Sequence, residues 1–263
     1  GSGTGLLTNL TIVDENGAVV AGPVDAQYTS SLVQTATFTD TITYKTGRHV
    51  YTVRGKVAST IGNGGTYIVT TVPSSGWTTV RGVSTGNSIS LSANGTFPMN
   101  TMTVKAGSVT FGRATSPASQ TITPGGQGVL MANFQFDASQ SGEDIRFSSV
   151  PVALAVGGSA SVSSITGCQV FNGTTALNTG SSVLNPASTA TSTITLDNPV
   201  TVTKGSVLTL GLRCNISGSA SNNNSFYWDM DNVAANWTFT GSVSGTTITG
   251  THGSDSAAVF TIG

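Results

Sequence analysis

Short runs in which apolar and polar residues alternate make up most of this chain. Residues 7–13, 49–57 and 208–216 have this period of two, which is typical of β-strands with one buried face. Gly, Asn and Asp residues mark turns between the runs, and no window has the 3.6-residue period of an amphipathic helix. The pattern therefore predicts an all-β protein built of antiparallel β-sandwiches of the immunoglobulin-like or jelly-roll-like kind.

The alternating runs occur twice in the same order, in blocks that cover residues 7–104 and 165–262. Equivalent positions are 158–160 residues apart, and the repeat pairs Trp77 with Trp237. A repeat of this length indicates two domains rather than a solenoid, whose units are about 20–50 residues long. The sequence therefore predicts one sandwich over residues 1–106 and a second, complete one over 107–263.

Residues 108–156 have no counterpart in the first block. Their alternation and turn residues predict three strands, at 108–113, 129–136 and 145–154, and a Pro- and Gly-rich loop at 115–128. The first domain is therefore expected to lack its N-terminal strands.

A sandwich without these strands would leave a groove of apolar side chains and unpaired strand edges. We expect this assembly groove to be lined by Leu10, Ile12, Tyr51 and Val53. Open edges pair readily with strands of other chains, so one hypothesis is that a neighbouring subunit supplies the missing strands and builds a polymer. The alternative is that upstream residues complete the sandwich within the same chain.

Several segments resemble the repeated β-sandwich domains of long bacterial cell-surface proteins. They are residues 108–111, 116–121, 128–136, 143–147 and 203–210. The resemblance implies a β-sandwich at the cell surface, in an S-layer-like array or an adhesin stalk. It carries over no catalytic residue.

Charged residues make up only 8% of the chain and the net charge is −1, whereas an average soluble domain has roughly 25% charged residues. This composition disfavours a nucleic-acid partner, and no apolar run approaches the roughly 20 residues of a membrane-spanning helix. A surface with so few charges suits a protein packed in an assembly or coated with glycan. We therefore expect self-association and an extracellular or cell-surface location.

Side chains that carry catalysis or bind metals are scarce. His49 and His252 are the only histidines, so we expect neither an enzyme nor a cofactor. Asp229 and Asp231 form a weak calcium candidate, because alternate positions of a strand place both carboxylates on one face. No other metal site is expected.

The aromatic residues leave a second function open. Trp77 and Trp237 recur at equivalent positions, which favours a role in the core. Tyr44 and Tyr227 could instead belong to a sugar-stacking surface, so the alternative function is a glycan-binding or adhesion module. An exposed aromatic row on one sheet face would favour that alternative.

The two cysteines, Cys168 and Cys214, both occupy core-facing positions of alternating runs. Their counterparts in the first block are Leu10 and about Gly55, a large and a small residue, which indicates that the two positions face each other. The sequence thus predicts a Cys168–Cys214 disulfide and an oxidising compartment. Two buried thiols are the alternative.

Overall fold

A computed structural model describes residues 5–58, 61–92, 95–253 and 258–263 of the protein. The described residues are mostly β-structure in antiparallel sheets, so the predicted fold class is confirmed. The chain divides into two compact units, unit 1 (Gly1–Lys105) and unit 2 (Ala106–Gly263). The helical segments of the described ranges are short: α1 (Pro73–Gly76) and the 3₁₀ turns Val162–Ser164, Gly180–Ser182 and Ala234–Asn236.

Unit 1 consists of small sheets. Its strands are β1 (Leu7–Val13), β2 (Val19–Val24), β3 (Gln27–Ser30), β4 (Val33–Thr35), β5 (Thr52–Val57), β6 (Thr66–Tyr67), β7 (Thr70–Thr71), β8 (Phe97–Pro98) and β9 (Met102–Thr103). β1 lies between β2 and β5, while β3 pairs with β4, β6 with β9, and β7 with β8. The buried apolar residues described in this unit are Leu10, Val13, Ala21, Ala26 and Ile61.

Unit 2 contains longer strands. They are β10 (Thr110–Arg113), β11 (Gln120–Ile122), β12 (Val129–Asp137), β13 (Ile145–Gly157), β14 (Ile165–Asn172), β15 (Thr175–Ala176), β16 (Ser192–Val202), β17 (Val207–Ile216), β18 (Ser225–Met230), β19 (Phe239–Gly241), β20 (Thr247–Ile248), β21 (Thr251–His252) and β22 (Phe260–Ile262).

Two sheets of unit 2 enclose one continuous hydrophobic core. The six-stranded sheet has the order β15-β14-β17-β12-β10-β21. The seven-stranded sheet has the order β11-β22-β18-β13-β19-β20, with β16 also paired to β13. Alternation along each strand sends one set of side chains inward, and these include the fully buried Phe134, Phe226 and Trp228.

Two short strands correct the sequence interpretation. β11 lies inside the segment predicted to be a loop, and β21, which contains His252, lies where no strand was predicted. Both strands pair in parallel with distant partners, β22 and β10 respectively. A parallel partner far along the chain requires no hairpin turn, so the local sequence holds no turn signal for it.

The two units share a strand register around β1 and β14. β1 pairs with β5 and β14 with β17, and each pair has one bulge, which lies between Thr8 and Thr11 in unit 1. Asn9 and Gly167 occupy equivalent positions at the two bulges, with φ angles of 51° and 60°. The backbone amide of Asn9 donates a hydrogen bond to the side chain of Asp25 at 2.7 Å. The backbone amide of Gly167 likewise donates a hydrogen bond to a side chain in unit 2.

The recurring tryptophans also share a local geometry. Each follows a short helical turn, and each indole N–H donates to the residue six positions earlier. Trp77 Nε1 donates to Thr71 Oγ1 at 2.8 Å, and Trp237 Nε1 donates to the carbonyl of Asp231 at 2.6 Å. The repeat is thus visible in individual hydrogen bonds as well as in the order of strands.

Cys168 and Cys214 form a disulfide, as the sequence predicts, and their Cα atoms are 4.1 Å apart. At the equivalent place in unit 1, the Leu10 side chain packs over Gly55. A Cβ atom added to Gly55 would lie 2.7 Å from Leu10 Cδ2. The large–small pair of unit 1 and the disulfide of unit 2 therefore fill the same space between two strands.

Candidate assembly face

One edge of β5 is unpaired in the described part of unit 1. In unit 2 the equivalent strand, β17, lies between β14 and β12. β5 pairs with β1, the counterpart of β14, and ends the three-stranded sheet. The backbone groups on its other side are available to a further strand, and we call this side the open edge.

Unit 1 also has a set of exposed apolar side chains that we call the open face. It comprises Val57, Trp77, Ile89 and Met102, which are 39%, 41%, 50% and 67% exposed. Their unit 2 counterparts are at most 8% exposed: Ile216, Trp237, Ile248 and Phe260. Positions that form the core of one unit thus face solvent in the other.

The open face belongs to a wider imbalance between the units. Of the 18 exposed large hydrophobic side chains among the described residues, 14 lie in unit 1. Scattered exposed apolar residues are ordinary on a protein surface, but here most of them belong to one unit.

The surroundings of Trp237 and Trp77 differ. Phe111 and Phe136 lie 4.3 Å and 5.9 Å from its ring, measured between centroids, and both come from residues 108–156. No equivalent segment exists in unit 1, where Trp77 stacks on Tyr44 instead, at 5.6 Å. Two of the rings that pack against Trp237 thus come from a segment that has no counterpart in the first block of this sequence.

The four residues predicted to line the assembly groove do not share one environment. Leu10 is only 5% exposed, because it packs on Gly55 and belongs to the small core of unit 1. Ile12 and Val53 are half-buried partners across β1 and β5. Tyr51 is half-buried immediately before β5, and its ring meets that of Tyr44 edge-on at 4.9 Å.

His49 joins two loops near this edge. Its Nε2 lies 3.1 Å from the carbonyl of Thr46, and its Nδ1 lies 3.1 Å from Glu15 Oε1. The hydrogen bond to Thr46 and then the bond to Glu15 raise the pKa of His49. The arrangement favours the imidazolium form and ties the 14–17 turn to the segment that leads into β5.

Asp229 and Asp231, the weak calcium candidate, both accept hydrogen bonds from protein groups. Asp229 accepts hydrogen bonds from the Tyr227 hydroxyl and from the backbone amide of Met230, both at 2.8 Å. Asp231 lies beyond the end of β18, where strand alternation no longer applies, and accepts from Val233 N and the Asn236 amide. Among the described residues, no three His, Cys, Asp or Glu side chains are grouped to hold a metal ion.

The aromatic residues considered for sugar stacking differ in accessibility. Tyr227 is half-buried, with the Arg113 guanidinium carbon 5.2 Å from its ring centroid. Tyr44 is 46% exposed and stacks nearly parallel to Trp77. The accessible aromatic surface near these residues is therefore the Tyr44–Trp77 pair in unit 1.

The hydrogen bonds of Glu143 give it a structural role that the sequence did not predict. The sequence placed it only just before a predicted strand. Its carboxylate accepts hydrogen bonds from Val243 N at 2.9 Å, from Ser244 N at 2.8 Å and from Ser244 Oγ at 2.7 Å. Desolvation opposes these bonds, but together they lower the pKa of Glu143. The residue fixes the turn after β19 to the segment that has no counterpart in unit 1.

Comparison with known proteins gives little. No protein-family model and no curated protein matches the chain. One similar solved structure is the sixth cohesin of scaffoldin B from Acetivibrio cellulolyticus, in complex with a mutant Cel5 dockerin. It is 12% identical, with 60% of this chain and 99% of the cohesin covered and a TM-score of 0.26. A likeness this weak says nothing about function.

The described residues contain no helix that is long and apolar enough to cross a membrane.

Proposed function

We propose that this protein is a structural component of an extracellular assembly, a segment of a surface layer, stalk or filament, and that unit 1 contacts its neighbours. In this proposal the two units are versions of one sandwich repeat, over residues 1–106 and 107–263, and unit 1 lacks the counterpart of residues 108–156.

The observation that carries the proposal is the exposure, in unit 1, of side chains whose counterparts belong to the core of unit 2. Trp77, Ile89 and Met102 are 41–67% exposed, although their counterparts are buried. When another protein covers this surface, apolar area is removed from water, which is favourable by about 25 cal/mol of free energy per Å² buried. A strand that pairs with the open edge of β5 would add main-chain hydrogen bonds.

The remaining features support an extracellular location. The Cys168–Cys214 disulfide is fully buried in unit 2, and structural disulfides persist in oxidising compartments. The low content of charged residues suits a protein that is packed against others.

Sedimentation of the full chain over a range of concentrations tests the proposal. We expect dimers or larger species to grow with concentration, and an Ile89→Glu, Met102→Glu variant to remain monomeric because charge on the open face opposes its burial. The matched control is Val243→Glu in unit 2, where the native side chain is 88% exposed. A wild-type chain that stays monomeric throughout, or equal effects of the two substitutions, would contradict the proposal.

A second candidate function is glycan binding, which the exposed Tyr44–Trp77 pair favours. Flat aromatic surfaces pack against the apolar faces of sugar rings, in the way they contact other apolar groups. Screening the chain against immobilised glycans, with Tyr44→Ala and Trp77→Ala as variants, tests this. Binding that either variant abolishes without changing sedimentation would favour the glycan-binding function.

A further inference from the structure

We propose that the open edge accepts one extended apolar strand, antiparallel to β5 and in a fixed register, and that this strand has the side-chain pattern of β12. The inference rests on the proposed assembly role and adds the chemistry and the alignment of the partner.

Unit 2 contains the template for this contact. β12 lies antiparallel to β17, with Phe134 opposite Leu210 and Ala132 opposite Leu212. On its other side, β17 pairs with β14 in the register that β5 and β1 repeat, including the bulge. The side of β17 that holds β12 therefore corresponds to the open edge.

The shared register fixes the alignment. Val57 and Ile216 are equivalent, because each pairs with the first residue of its neighbouring strand, so positions in β5 and β17 differ by 159. Transferred to unit 1, the residue equivalent to Phe134 lies opposite Tyr51, and the one equivalent to Ala132 lies opposite Val53.

The alternation of the partner strand decides whether it fits. Phe134 and Phe136 in β12 are fully buried, whereas Gln135 between them is exposed. A slip by one residue would turn the inward side chains to solvent and bring polar ones into the core. The open edge should therefore select an apolar side chain at every second position of its partner.

The folded unit 2 of a second copy is not this partner. β12 is already paired on both edges, with β10 and β17, and its phenylalanines are inaccessible. A second copy could donate the strand only by unfolding its own sandwich. The occupant is therefore an extended segment with this apolar alternation that is not already part of a folded unit.

Peptide binding to the intact 263-residue chain tests the inference. The probe is a labelled peptide of residues 128–138, GVLMANFQFDA, with a lysine tail for solubility. The matched control has the same composition with the alternation out of phase, GVLMANQFDFA. We expect the first peptide to bind saturably in fluorescence anisotropy, with an affinity at least about tenfold higher than that of the second peptide. A tenfold difference in affinity corresponds to about 1.4 kcal/mol of binding free energy.

Disulfide trapping then tests the register. A peptide with Ala132→Cys should cross-link to the Val53→Cys chain at least tenfold faster than a peptide with Asn133→Cys. With a Val243→Cys control chain, both peptides should cross-link much more slowly than the Ala132→Cys peptide does with the Val53→Cys chain. Equal binding of the two unmodified peptides, equal trapping at both peptide positions, or no saturable binding would overturn the inference.

These outcomes are separable from those of the sedimentation experiment. A chain that self-associates but does not distinguish the two peptides leaves the assembly role standing and refutes the strand register. A chain that binds the in-phase peptide in register but never self-associates supports the acceptor edge and refutes assembly through copies of this chain.

Discussion

β5 and β17 lie in equivalent segments of the two sequence blocks, yet β5 is the shorter strand. The first four residues of β17, at 207–210, pair with β12 alone, whereas β14 runs alongside residues 211–216. Their unit 1 counterparts follow the same division: residues 48–51 are not in a strand, and residues 52–57 form β5. The strand is present where its partner is present.

The seven-stranded sheet of unit 2 teaches the same lesson. β13 pairs with β16, β18 and β19, and it is the only described partner of β16. In unit 1, where β13 has no counterpart, the segment equivalent to most of β16, residues 36–45, contains no strand. Alternation gives a segment the capacity to form a strand, but a hydrogen-bonding neighbour is needed to realise it.

The largest expected difference between the units concerns the equivalent tryptophans. Trp237→Ala removes a buried ring and should lower the free energy of unfolding of unit 2 by about 3–5 kcal/mol. Trp77→Ala should cost less than about 1 kcal/mol, because its ring is 41% exposed. Urea unfolding followed by the fluorescence of the buried Trp228 measures the first, and far-UV circular dichroism the second. Similar losses would refute the idea that only unit 2 has a closed core.

Removal of the disulfide should have the next largest effect. Cys168→Ala with Cys214→Ala releases a loop closed over a separation of 46 residues, which should lower the free energy of unfolding by about 2–4 kcal/mol. The same Trp228 fluorescence measures it, and wild-type protein unfolded in the presence of a reductant serves as the control. Titration of the unreduced, denatured wild type should find no free thiol; two thiols would contradict the bond.

A second disulfide can be introduced at the matching place in unit 1. Leu10→Cys with Gly55→Cys should form one spontaneously in air, because the Leu10 side chain already lies over Gly55. Mass spectrometry should detect the loss of two hydrogens. Leu10→Cys with Arg54→Cys is the mismatched control, since neighbouring strand positions face opposite sides. Free thiols in the first variant would show that the two units differ at this point.

Glu143→Gln should have a smaller effect, confined to unit 2. The loss of a charged acceptor for Ser244 and Val243 should lower the free energy of unfolding by about 1 kcal/mol near pH 7. The folded-state pKa of Glu143 is lowered from 4.5, so its contribution is present above that value and disappears as the pH falls through the folded pKa. Unfolding of both proteins at pH 7 and at pH 3 checks this; a difference that persists at pH 3 would contradict it. Glu15→Gln in unit 1 is the control.

The constant offset between the two blocks predicted contacts in which both residues belong to the same block. It related Leu10 to Cys168 and Gly55 to Cys214, and the disulfide follows from that relation. It gave no sign of β11 or β21, whose parallel partners are remote, and it placed Leu10 in a groove although its side chain is buried. Applying the offset to Ile89 and Met102 would have identified the open face, because both correspond to core residues of unit 2.

The sequence by itself determined which residues alternate, where turns occur and which positions of the two blocks are equivalent, because these are local properties of the chain. Tertiary structure decided which of those segments became strands and which apolar positions were buried. Both outcomes depend on strands that are remote in sequence, β12 and β13 above all. Trp237 is covered by phenylalanines from residues 108–156 and Trp77 is not, so two equivalent tryptophans with the same indole hydrogen-bond spacing have different environments.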